Sequence, residues 1–229
     1  MDYKKWEPTY KKIVKDFKFS TIQDEKAADI LNKLLQNKKP LSIKKLEESI
    51  EKQEVFIFGA GPSLQKSMSK YKERFSNKTK LAADGATTAL IENNIQPDIV
   101  VTDLDGKVSD QIKANNNGNI TIIHAHGDNI DKIKKYVPKF KRKIIGTTQT
   151  NPEPYNNLHN FGGFTDGDRA VYIADHFHAK KINLIGFDFN KKIGPYSFPK
   201  NKDTKQKISK LKWCKNLIDL LHKNNIQIL

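Results

Sequence analysis

The stretch VFIFGAGPSLQKSMSKYKERFSNKTKLAADGA, residues 55–86, contains two short apolar runs on either side of an amphipathic segment. The first run, residues 55–58, ends in glycines, and the segment after it has apolar residues at helical spacing. The second run, residues 80–83, has the length of a buried strand. This order predicts two parallel strands joined by a crossover helix.

The same alternation continues along the rest of the chain. Further apolar runs are DIVV (98–101), ITII (120–123), KIIG (143–146), INLIG (182–186) and a closing IQIL (226–229). Helix-compatible stretches lie at 63–75, 87–94, 129–137, 168–177 and 207–223. We therefore predict a Rossmann-like α/β fold, with a mostly parallel sheet flanked by helices.

Residues before this region have a different pattern. Between 2 and 50 the chain is charged, and apolar positions such as Ile13 and Leu31 recur at helical spacing without strand-like alternation. We predict a helical N-terminal appendage, residues 1–50, followed by the α/β domain, residues 51–229.

Composition excludes several classes of protein. Hydrophobic residues make up 37% of the 229 residues and recur in regular runs, which excludes a wholly disordered chain. No stretch approaches the roughly 20 apolar residues of a membrane span, and the opening MDYKKWEPTY lacks the apolar core of a secretory signal. We therefore expect a cytoplasmic protein with no membrane partner. Cys214 is the only cysteine, which predicts a packed thiol and excludes a disulfide framework.

The net charge of +15 would attract phosphate groups of nucleotides, nucleic acids or membrane surfaces. Most lysines are spread through predicted helices, as in SIKKLEESIEK (42–52), which is typical of a solvated surface. We therefore do not expect a nucleic-acid partner. The asparagine-rich KANNNGN (113–119) is interpreted as an exposed loop.

Candidate site residues follow the predicted strands, because ligands of an open parallel sheet bind beyond the carboxyl ends of its strands. The first strand is followed by Gly59, Gly61, Pro62, Ser63 and Leu64. Glycines allow close backbone approach and proline suits a first helical turn, so backbone amides could meet a phosphate. The motif lacks the third glycine of a dinucleotide fingerprint, and a tight strand-to-helix turn explains it equally well.

Three carboxylates follow the next two strands. Asp84, with Gly85, follows the second, and Asp103 and Asp105 follow the third. Mg²⁺ prefers oxygen ligands and uses one or two carboxylates together with waters and phosphates. Two residues apart in an extended chain, Asp103 and Asp105 would point the same way, so we predict them as the principal metal ligands and Asp84 as an additional one. The alternative is that these aspartates cap turns or helices.

The fourth strand is followed by two imidazoles and a further carboxylate in HAHGDN, residues 124–129. We predict that His126 contacts phosphate or transfers a proton, and that Asp128 extends the metal site. His124 and His126 could instead bind a transition metal as a pair. In a purely structural alternative, His124 packs in the strand and Asp128 or Asn129 caps the next helix.

Acids stand beside aromatic side chains in GGFTDGDR (162–169) and GFDF (186–189). A flat heterocycle needs an aromatic face for stacking and a carboxylate for its hydrogen-bonding edge. The candidates for these substrate contacts are Phe164, Phe187, Asp166, Asp168 and Asp188, with Arg169 for an anionic oxygen. Alternatively, Asp168 caps a helix or pairs with Arg169 at the surface, and Phe187 belongs to the core.

The chain resembles the archaeal 6-hydroxymethyl-7,8-dihydropterin diphosphokinases in the order of its motifs, which is FGAGPSL, ADGA, PDIVVTDLDG, HAHGDN, FTDGDRA and GFDF. The segments WEPTYKKIVKDF and DEKAADIL extend the resemblance to nearly the whole chain. It implies a catalytic α/β domain that transfers diphosphate from ATP to the pterin hydroxymethyl group with Mg²⁺ and releases AMP. The glycine-rich loop and the Asp84–Gly85 turn would then bind ATP.

Other hypotheses stay open. A thiamine diphosphokinase-like enzyme shares the DGA-like turn, but that family has serine where this chain has Gly106 and carries a further β-rich domain, whereas 39 residues follow Asn190 here. A flagellin glycosyltransferase-like enzyme shares the GxGPSL-like element in a much longer chain. A non-enzymatic nucleotide- or RNA-binding module would use the basic charge, with acids that only cap helices. The sequence also leaves open the oligomeric state and the choice between folate and methanopterin pathways.

Overall fold

The computed structural model describes residues 3–38, 40–189, 193–197, 204–221 and 224–229. Their eight strands form one sheet in which all neighbours are parallel. The strands are β1 (Glu54–Phe58), β2 (Thr79–Ala83), β3 (Ile99–Thr102), β4 (Ile120–Ala125), β5 (Ile144–Thr148), β6 (Leu158–His159), β7 (Lys181–Ile185) and β8 (Ile226–Ile228). Their order across the sheet is β6-β5-β4-β3-β2-β1-β7-β8, which confirms the predicted α/β fold.

Nine α-helices lie in the described ranges. They are α1 (Tyr3–Phe17), α2 (Thr21–Gln36), α3 (Ile43–Ile50), α4 (Leu64–Phe75), α5 (Ala86–Glu92), α6 (Val108–Asn116), α7 (Ile130–Tyr136), α8 (Asp166–His176) and α9 (Thr204–Leu220). The helix predicted at 207–223 begins earlier, at Thr204, and the last two residues of that prediction lie outside the described residues. None of the described helices has the length and apolar character needed to cross a membrane.

Helices cover both faces of the sheet. In β1, Val55 and Ile57 pack with residues of α3, α8 and α9, whereas Phe56 and Phe58 pack with residues of α4 and α5. Alternate side chains of a strand point to opposite faces, so a sheet covered on both faces requires uninterrupted apolar runs. The runs seen in the sequence are these doubly buried strands.

The interpretation of KANNNGN as a loop is wrong for its first four residues, which form the end of α6. Asn115 is fully buried, and its side-chain amide donates to Thr121 Oγ1 at 3.2 Å and to the Lys143 carbonyl at 3.3 Å. Its side-chain oxygen accepts from the Arg142 amide at 3.0 Å. These hydrogen bonds satisfy a polar side chain inside the fold, which composition alone does not indicate.

The N-terminal helices pack against the rest of the chain. Leu31 of α2 is buried together with Ile123 of β4, and Leu46 of α3 belongs to the cluster beneath the other face. Trp6 of α1 meets Tyr172 of α8 edge-on, with ring centroids 6.1 Å apart. The helical character of this region is confirmed, while a domain boundary near residue 50 stays a prediction.

The strand order creates a switch point between β1 and β7. The chain proceeds from β1 through β6 towards one edge and then returns to the other side of β1 for β7 and β8. Loops after neighbouring strands diverge at such a point and leave a crevice at the carboxyl edge of the sheet. This crevice is where the candidate residues meet.

Candidate functional site

A cavity of about 450 Å³ lies at the carboxyl edge of the sheet. This size is within the roughly 300–1,000 Å³ range of small-molecule sites. The lining residues that sequence predicted are Gly59, Gly61, Asp84, Gly85, Asp103, Asp105, His126, Asp128, Phe164, Asp166, Arg169, Phe187 and Asp188. Pro62, Ser63, Leu64 and Asp168 were also predicted but do not line it.

Three carboxylates from different elements meet inside the cavity. Asp84 follows β2, Asp103 follows β3, and Asp166 lies in the first turn of α8. One oxygen of each can be chosen so that all three lie within 4.8 Å of one another. The Asp103 amide also donates to Asp166 Oδ2 at 3.3 Å. Asp166, predicted as a substrate contact, therefore joins two predicted metal ligands in a group that could hold one divalent cation. We call these residues the acid cluster.

Asp103 provides the sharpest test of whether a cation fits. Its Oδ1 is buried and has no hydrogen-bond partner among the residues described here, whereas its Oδ2 lies 3.3 Å from His126 Nε2. A buried carboxylate oxygen without a donor is costly, because its charge has lost the stabilisation given by water. The residues of the acid cluster therefore fit a divalent cation, whose charge would compensate this oxygen.

Burial and mutual repulsion perturb the acids strongly. Burial, followed by the charge of Asp103, raises the pKa of Asp84 to about 6. Burial, followed by the charges of Asp103 and Asp84, raises the pKa of Asp166 well above its ordinary value. Burial acts on Asp103 in the same direction, but the hydrogen bond and charge of His126, helped by two lysines, hold its pKa below the ordinary value. A bound cation would relieve this repulsion.

Asp84 is fixed by three donors to one of its oxygens. Its Oδ1 accepts from Thr102 Oγ1 and Gln111 Nε2, both at 2.9 Å, and from the Gly106 amide at 3.0 Å. A Cβ at position 106 would lie only 2.9 Å from Asp84 Oδ2. Glycine at this position therefore lets the loop after β3 approach the carboxylate of Asp84 closely.

The extended geometry that supported a ligand pair of Asp103 and Asp105 is absent. Leu104, between them, is buried and has a φ of 66°, in the left-handed region. The chain turns there, and Asp105 forms an ion pair with Lys132, with 2.7 Å between Asp105 Oδ1 and Lys132 Nζ. Asp105 lines the cavity but lies outside the acid cluster, so the prediction of two neighbouring ligands on an extended strand end is wrong in its geometry.

His126 is oriented towards Asp103 by contacts at both of its ring nitrogens. The Asp128 amide donates to His126 Nδ1 at 3.3 Å, and His126 Nε2 lies 3.3 Å from Asp103 Oδ2. Both ring nitrogens are engaged, which supports a positioning role, while the proton-transfer or phosphate-contact role of His126 stays a prediction. Asp128 is exposed and outside the acid cluster, so its predicted place among the metal ligands is also not supported by the geometry.

The other histidine of this motif packs inside the sheet. His124 is 1% exposed, and its Nδ1 lies 3.0 Å from Thr147 Oγ1. Burial lowers its pKa well below the ordinary value, and the nearby charge of Arg169 acts in the same direction. The arrangement agrees with the packed-strand alternative for His124, whose ring centroid lies 6.1 Å from that of His126.

The glycine-rich loop approaches β7 closely. The Gly59 amide donates to the Ile185 carbonyl at 2.8 Å, and the Gly61 amide donates to the Gly186 carbonyl at 2.9 Å. A Cβ on Gly61 would collide with the Asp188 carboxylate and would lie 2.5 Å from the Gly186 carbonyl oxygen. These positions require glycine because the backbone of the loop packs closely against other parts of the protein. This agrees with the alternative that the motif is a tight strand-to-helix turn.

Asp188 occupies the N-terminus of α4. Its Oδ2 accepts from the Ser63 amide at 2.9 Å and from the Ser63 hydroxyl at 2.8 Å. The Leu64 amide donates to the Gly61 carbonyl, and Pro62 has no amide hydrogen. A carboxylate therefore takes the place where a helix N-terminus would bind an anion. The prediction that amides of residues 59–64 cradle phosphate is therefore not supported for Gly59, Gly61, Ser63 and Leu64, whose amides are engaged within the protein.

Asp168 and Arg169 have different roles. Asp168 Oδ2 accepts from the Phe164 amide at 2.5 Å, and its Oδ1 accepts from the amide and the hydroxyl of Thr165. Asp168 therefore caps α8, which corrects its predicted substrate contact. Arg169 is 3% exposed and lines the cavity, where its Nη2 donates to the Phe164 carbonyl. Its Nε has no partner in the described part of the chain, so this buried guanidinium suits an oxygen of a ligand.

Several lining residues were missed from the sequence. They include Phe19, Gln149, Lys132, Lys207 and Lys210. Gln149 directly follows β5, so the rule applied to the other strand ends would have found it. The lysines and Phe19 come from α7, α9 and the connection between α1 and α2, where no local motif marks them.

Asp24 ties the N-terminal helices to two loops of the cavity. This buried carboxylate accepts hydrogen bonds from Tyr10 Oη, Gln149 Nε2 and the Gly127 amide, each at 2.7 Å. Gln149 lines the cavity, and Gly127 belongs to the loop that carries His126. Helix α2 therefore helps to position the site.

Asp24→Ala should destabilise the protein by about 3 kcal/mol or more, because two buried donors and one partly buried donor lose their shared acceptor. Urea unfolding followed by circular dichroism measures this change. Glu25→Ala, at an exposed side chain of the same helix, should change stability by less than about 0.5 kcal/mol. Equal effects of the two substitutions would contradict the role assigned to Asp24.

Sequence comparisons place this chain among known proteins. A family model described as "6-hydroxymethylpterin diphosphokinase MptE-like" matches residues 28–194. Proteins named 6-hydroxymethyl-7,8-dihydropterin pyrophosphokinase match nearly the whole chain. The protein of Methanocaldococcus jannaschii is 47% identical, and the match covers 100% of this chain and 98% of the relative. The protein of Pyrococcus furiosus is 43% identical, with 98% of this chain and 96% of the relative covered. The protein of Methanothermobacter thermautotrophicus is 40% identical, with 98% of this chain and 97% of the relative covered.

Among solved structures, a MAf glycosyltransferase from Magnetospirillum magneticum AMB-1 aligns with 62% of this chain and 23% of its own, at 15% identity. The TM-score of 0.34 is too low to bear on the fold or the function. The sequence matches, in contrast, extend over most of the chain at high identity. This chain therefore belongs to the MptE-like family of 6-hydroxymethylpterin diphosphokinases.

Proposed function

We propose that this chain transfers a diphosphoryl group from ATP to the hydroxymethyl group of 6-hydroxymethyl-7,8-dihydropterin, with Mg²⁺ as the metal. The names of relatives 40% to 47% identical to it support this substrate. The main support for the proposal is the acid cluster in a cavity that also contains aromatic side chains. Within the described ranges, Asp103 Oδ1 of this cluster has no hydrogen-bond partner. Because ATP is the donor, we place the reaction in the cytoplasm.

Asp84, Asp103 and Asp166 would hold the Mg²⁺ in this proposal. When bound, Mg²⁺ would neutralise charge on the phosphate oxygens during transfer. His126 keeps Asp103 in place by donating to its Oδ2, and the Gly106, Thr102 and Gln111 donors keep Asp84 in place. The protein thus presents its carboxylates in fixed positions.

In the proposed reaction, the hydroxymethyl oxygen bonds to the β-phosphorus of ATP while the bond from this phosphorus to the oxygen bridging to the α-phosphorus breaks. The electron pair stays on that oxygen, so AMP leaves, and the hydroxyl proton is released to water. Positioning supplies much of the catalysis in such a transfer. Phe164 and Phe187 offer faces for the pterin, Arg169 offers its guanidinium to an oxygen, and Gly59 and Gly85 border the space for ATP.

A complete mixture of protein, ATP, Mg²⁺ and 6-hydroxymethyl-7,8-dihydropterin should yield AMP and pterin diphosphate in equal amounts. Chromatography of the nucleotide and pterin products measures this result, with each component omitted in turn. Formation of ADP would contradict diphosphoryl transfer. No nucleotide turnover by a demonstrably folded protein would contradict the proposed substrate pair, and thiamine would then be tested as the acceptor.

A further inference from the structure

One side of α9 lies along the cavity. Its lining residues include Lys207, Lys210, Leu211 and Cys214, whose i, i+3, i+4, i+7 pattern places them on the same side of the helix. Further along the helix, Leu217 is fully buried, and its carbonyl accepts from the Tyr172 hydroxyl at 3.0 Å. The helix is thus anchored, and it presents basic side chains to the cavity.

Lys210 differs from the other lysines of the cavity in its partners. Its Nζ lies 5.7 Å from the ring centroids of both Phe19 and Phe164, and it forms no ion pair with any carboxylate of the described residues. Lys132 is instead paired with Asp105, and Lys207 donates to the Ser197 carbonyl at 2.7 Å. Lys210 therefore brings to the cavity a half-buried positive charge without a carboxylate partner among the described residues.

The same ammonium lies near a segment that carries a residue of the acid cluster. Phe164, whose ring it faces, precedes Asp166 by two residues. Lys210 and Asp103 both line the cavity, from α9 and from the sheet respectively. A ligand between them would meet a positive charge on one side and the metal-binding acids on the other.

We infer that Lys210 is a further substrate-binding residue, which contacts an oxygen of the β- or γ-phosphoryl group of ATP. The identification of the ligand as ATP rests on the proposed function. The binding of a polyphosphate between α9 and the acid cluster does not depend on it. A half-buried ammonium held against aromatic rings is partly desolvated, which strengthens its hydrogen bond to a phosphate oxygen. AMP lacks both phosphoryl groups and therefore should not depend on Lys210.

Lys210→Met removes the charge and keeps most of the length of the side chain. Isothermal titration calorimetry with Mg²⁺ and inorganic tripolyphosphate should show binding at least about tenfold weaker than in the wild type. AMP affinity should change less than about threefold. Lys210→Arg should retain most of the tripolyphosphate affinity, and Lys212→Met, at an exposed position of the same helix, should behave like the wild type.

Unchanged tripolyphosphate affinity in Lys210→Met, or no binding by the wild type, would overturn the inference. Equal weakening in Lys212→Met would overturn it as well, since only the net charge would then matter. Lys210→Gln provides a second neutral variant if methionine disturbs the helix, as judged by circular dichroism. Loss of tripolyphosphate binding without any AMP formation by the wild type would uphold the polyphosphate site and contradict the proposed function. AMP formation by the wild type, together with unaltered tripolyphosphate binding in Lys210→Met, would uphold the proposed function and contradict the polyphosphate site.

Discussion

Asp103→Asn should lower turnover at least about a thousandfold while the fold stays intact, since loss of metal-supported charge neutralisation costs several kcal/mol and each ~1.4 kcal/mol is tenfold in rate. Asparagine has the size of aspartate and can still accept from His126 Nε2. It lacks the negative charge of the buried Oδ1, which has no hydrogen-bond partner in the described part of the chain. The initial rate of AMP formation, with circular dichroism as the test of folding, measures the effect.

Asp128→Asn is the matched control. Asp128 lines the same cavity and follows Asp103 by one strand, but it is exposed and outside the acid cluster. Its substitution should therefore change turnover little. Near-native turnover in Asp103→Asn would remove this residue from the mechanism, and equal losses in both variants would indicate that only the total charge of the cavity matters.

The fold could be predicted because a parallel sheet covered on both faces needs continuous apolar strands. VFIF and ITII correspond to β1 and β4 for this reason. Strand β6 escaped prediction because it has only two residues, and α6 escaped it because its buried Asn115 looks like a loop residue until its hydrogen-bond partners are known. Short elements and satisfied buried polar groups leave little periodicity to detect.

The rule that ligands bind beyond the carboxyl ends of parallel strands identified the individual acids, but not which of them form the acid cluster. Parallel strands end at one edge, so the sequence could place Asp84 and Asp103 there. It could not show that Asp166 joins them, because this depends on how α8 docks on the sheet. It also suggested that Asp105 would point the same way as Asp103, which fails because buried Leu104 adopts a left-handed conformation that is rare for such a residue.

The glycine-rich loop shows a related ambiguity. Glycine indicates that something approaches the backbone closely, but it does not indicate what approaches. At Gly61 the approaching groups are the Asp188 carboxylate and the Gly186 carbonyl, both distant in sequence. The close approach at Gly61 joins the loop after β1 to the loop after β7 at the switch point.

Asp84→Asn should stabilise the metal-free protein at neutral pH and remove most of its activity. Burial, followed by the charge of Asp103, raises the pKa of Asp84 from 3.8 to about 6. Such a carboxyl binds a proton more readily in the folded state than in the unfolded state. The resulting cost is absent below the unfolded pKa, grows as the pH rises from 3.8, and is fully present above about 6. Asparagine does not ionise, and its oxygen can still accept from Thr102, Gln111 and Gly106.

Thermal unfolding across pH, with EDTA or with Mg²⁺, measures this prediction. Without metal, the variant and the wild type should melt alike near about pH 4, and the variant should be more stable by roughly 1–2 kcal/mol, or about 3–6 °C, near pH 8. Mg²⁺ should raise the melting temperature of the wild type at the higher pH and affect the variant little.

The gain in stability and the loss of activity should appear together. The negative charge of Asp84 destabilises the metal-free protein by repelling the other acids, and the same charge attracts the cation. A variant that melts below the wild type without metal at the higher pH would show that repulsion does not dominate at Asp84. A variant that is stabilised yet fully active would support repulsion at Asp84 but exclude this residue as a metal ligand. Metal binding would then depend on Asp103 and Asp166.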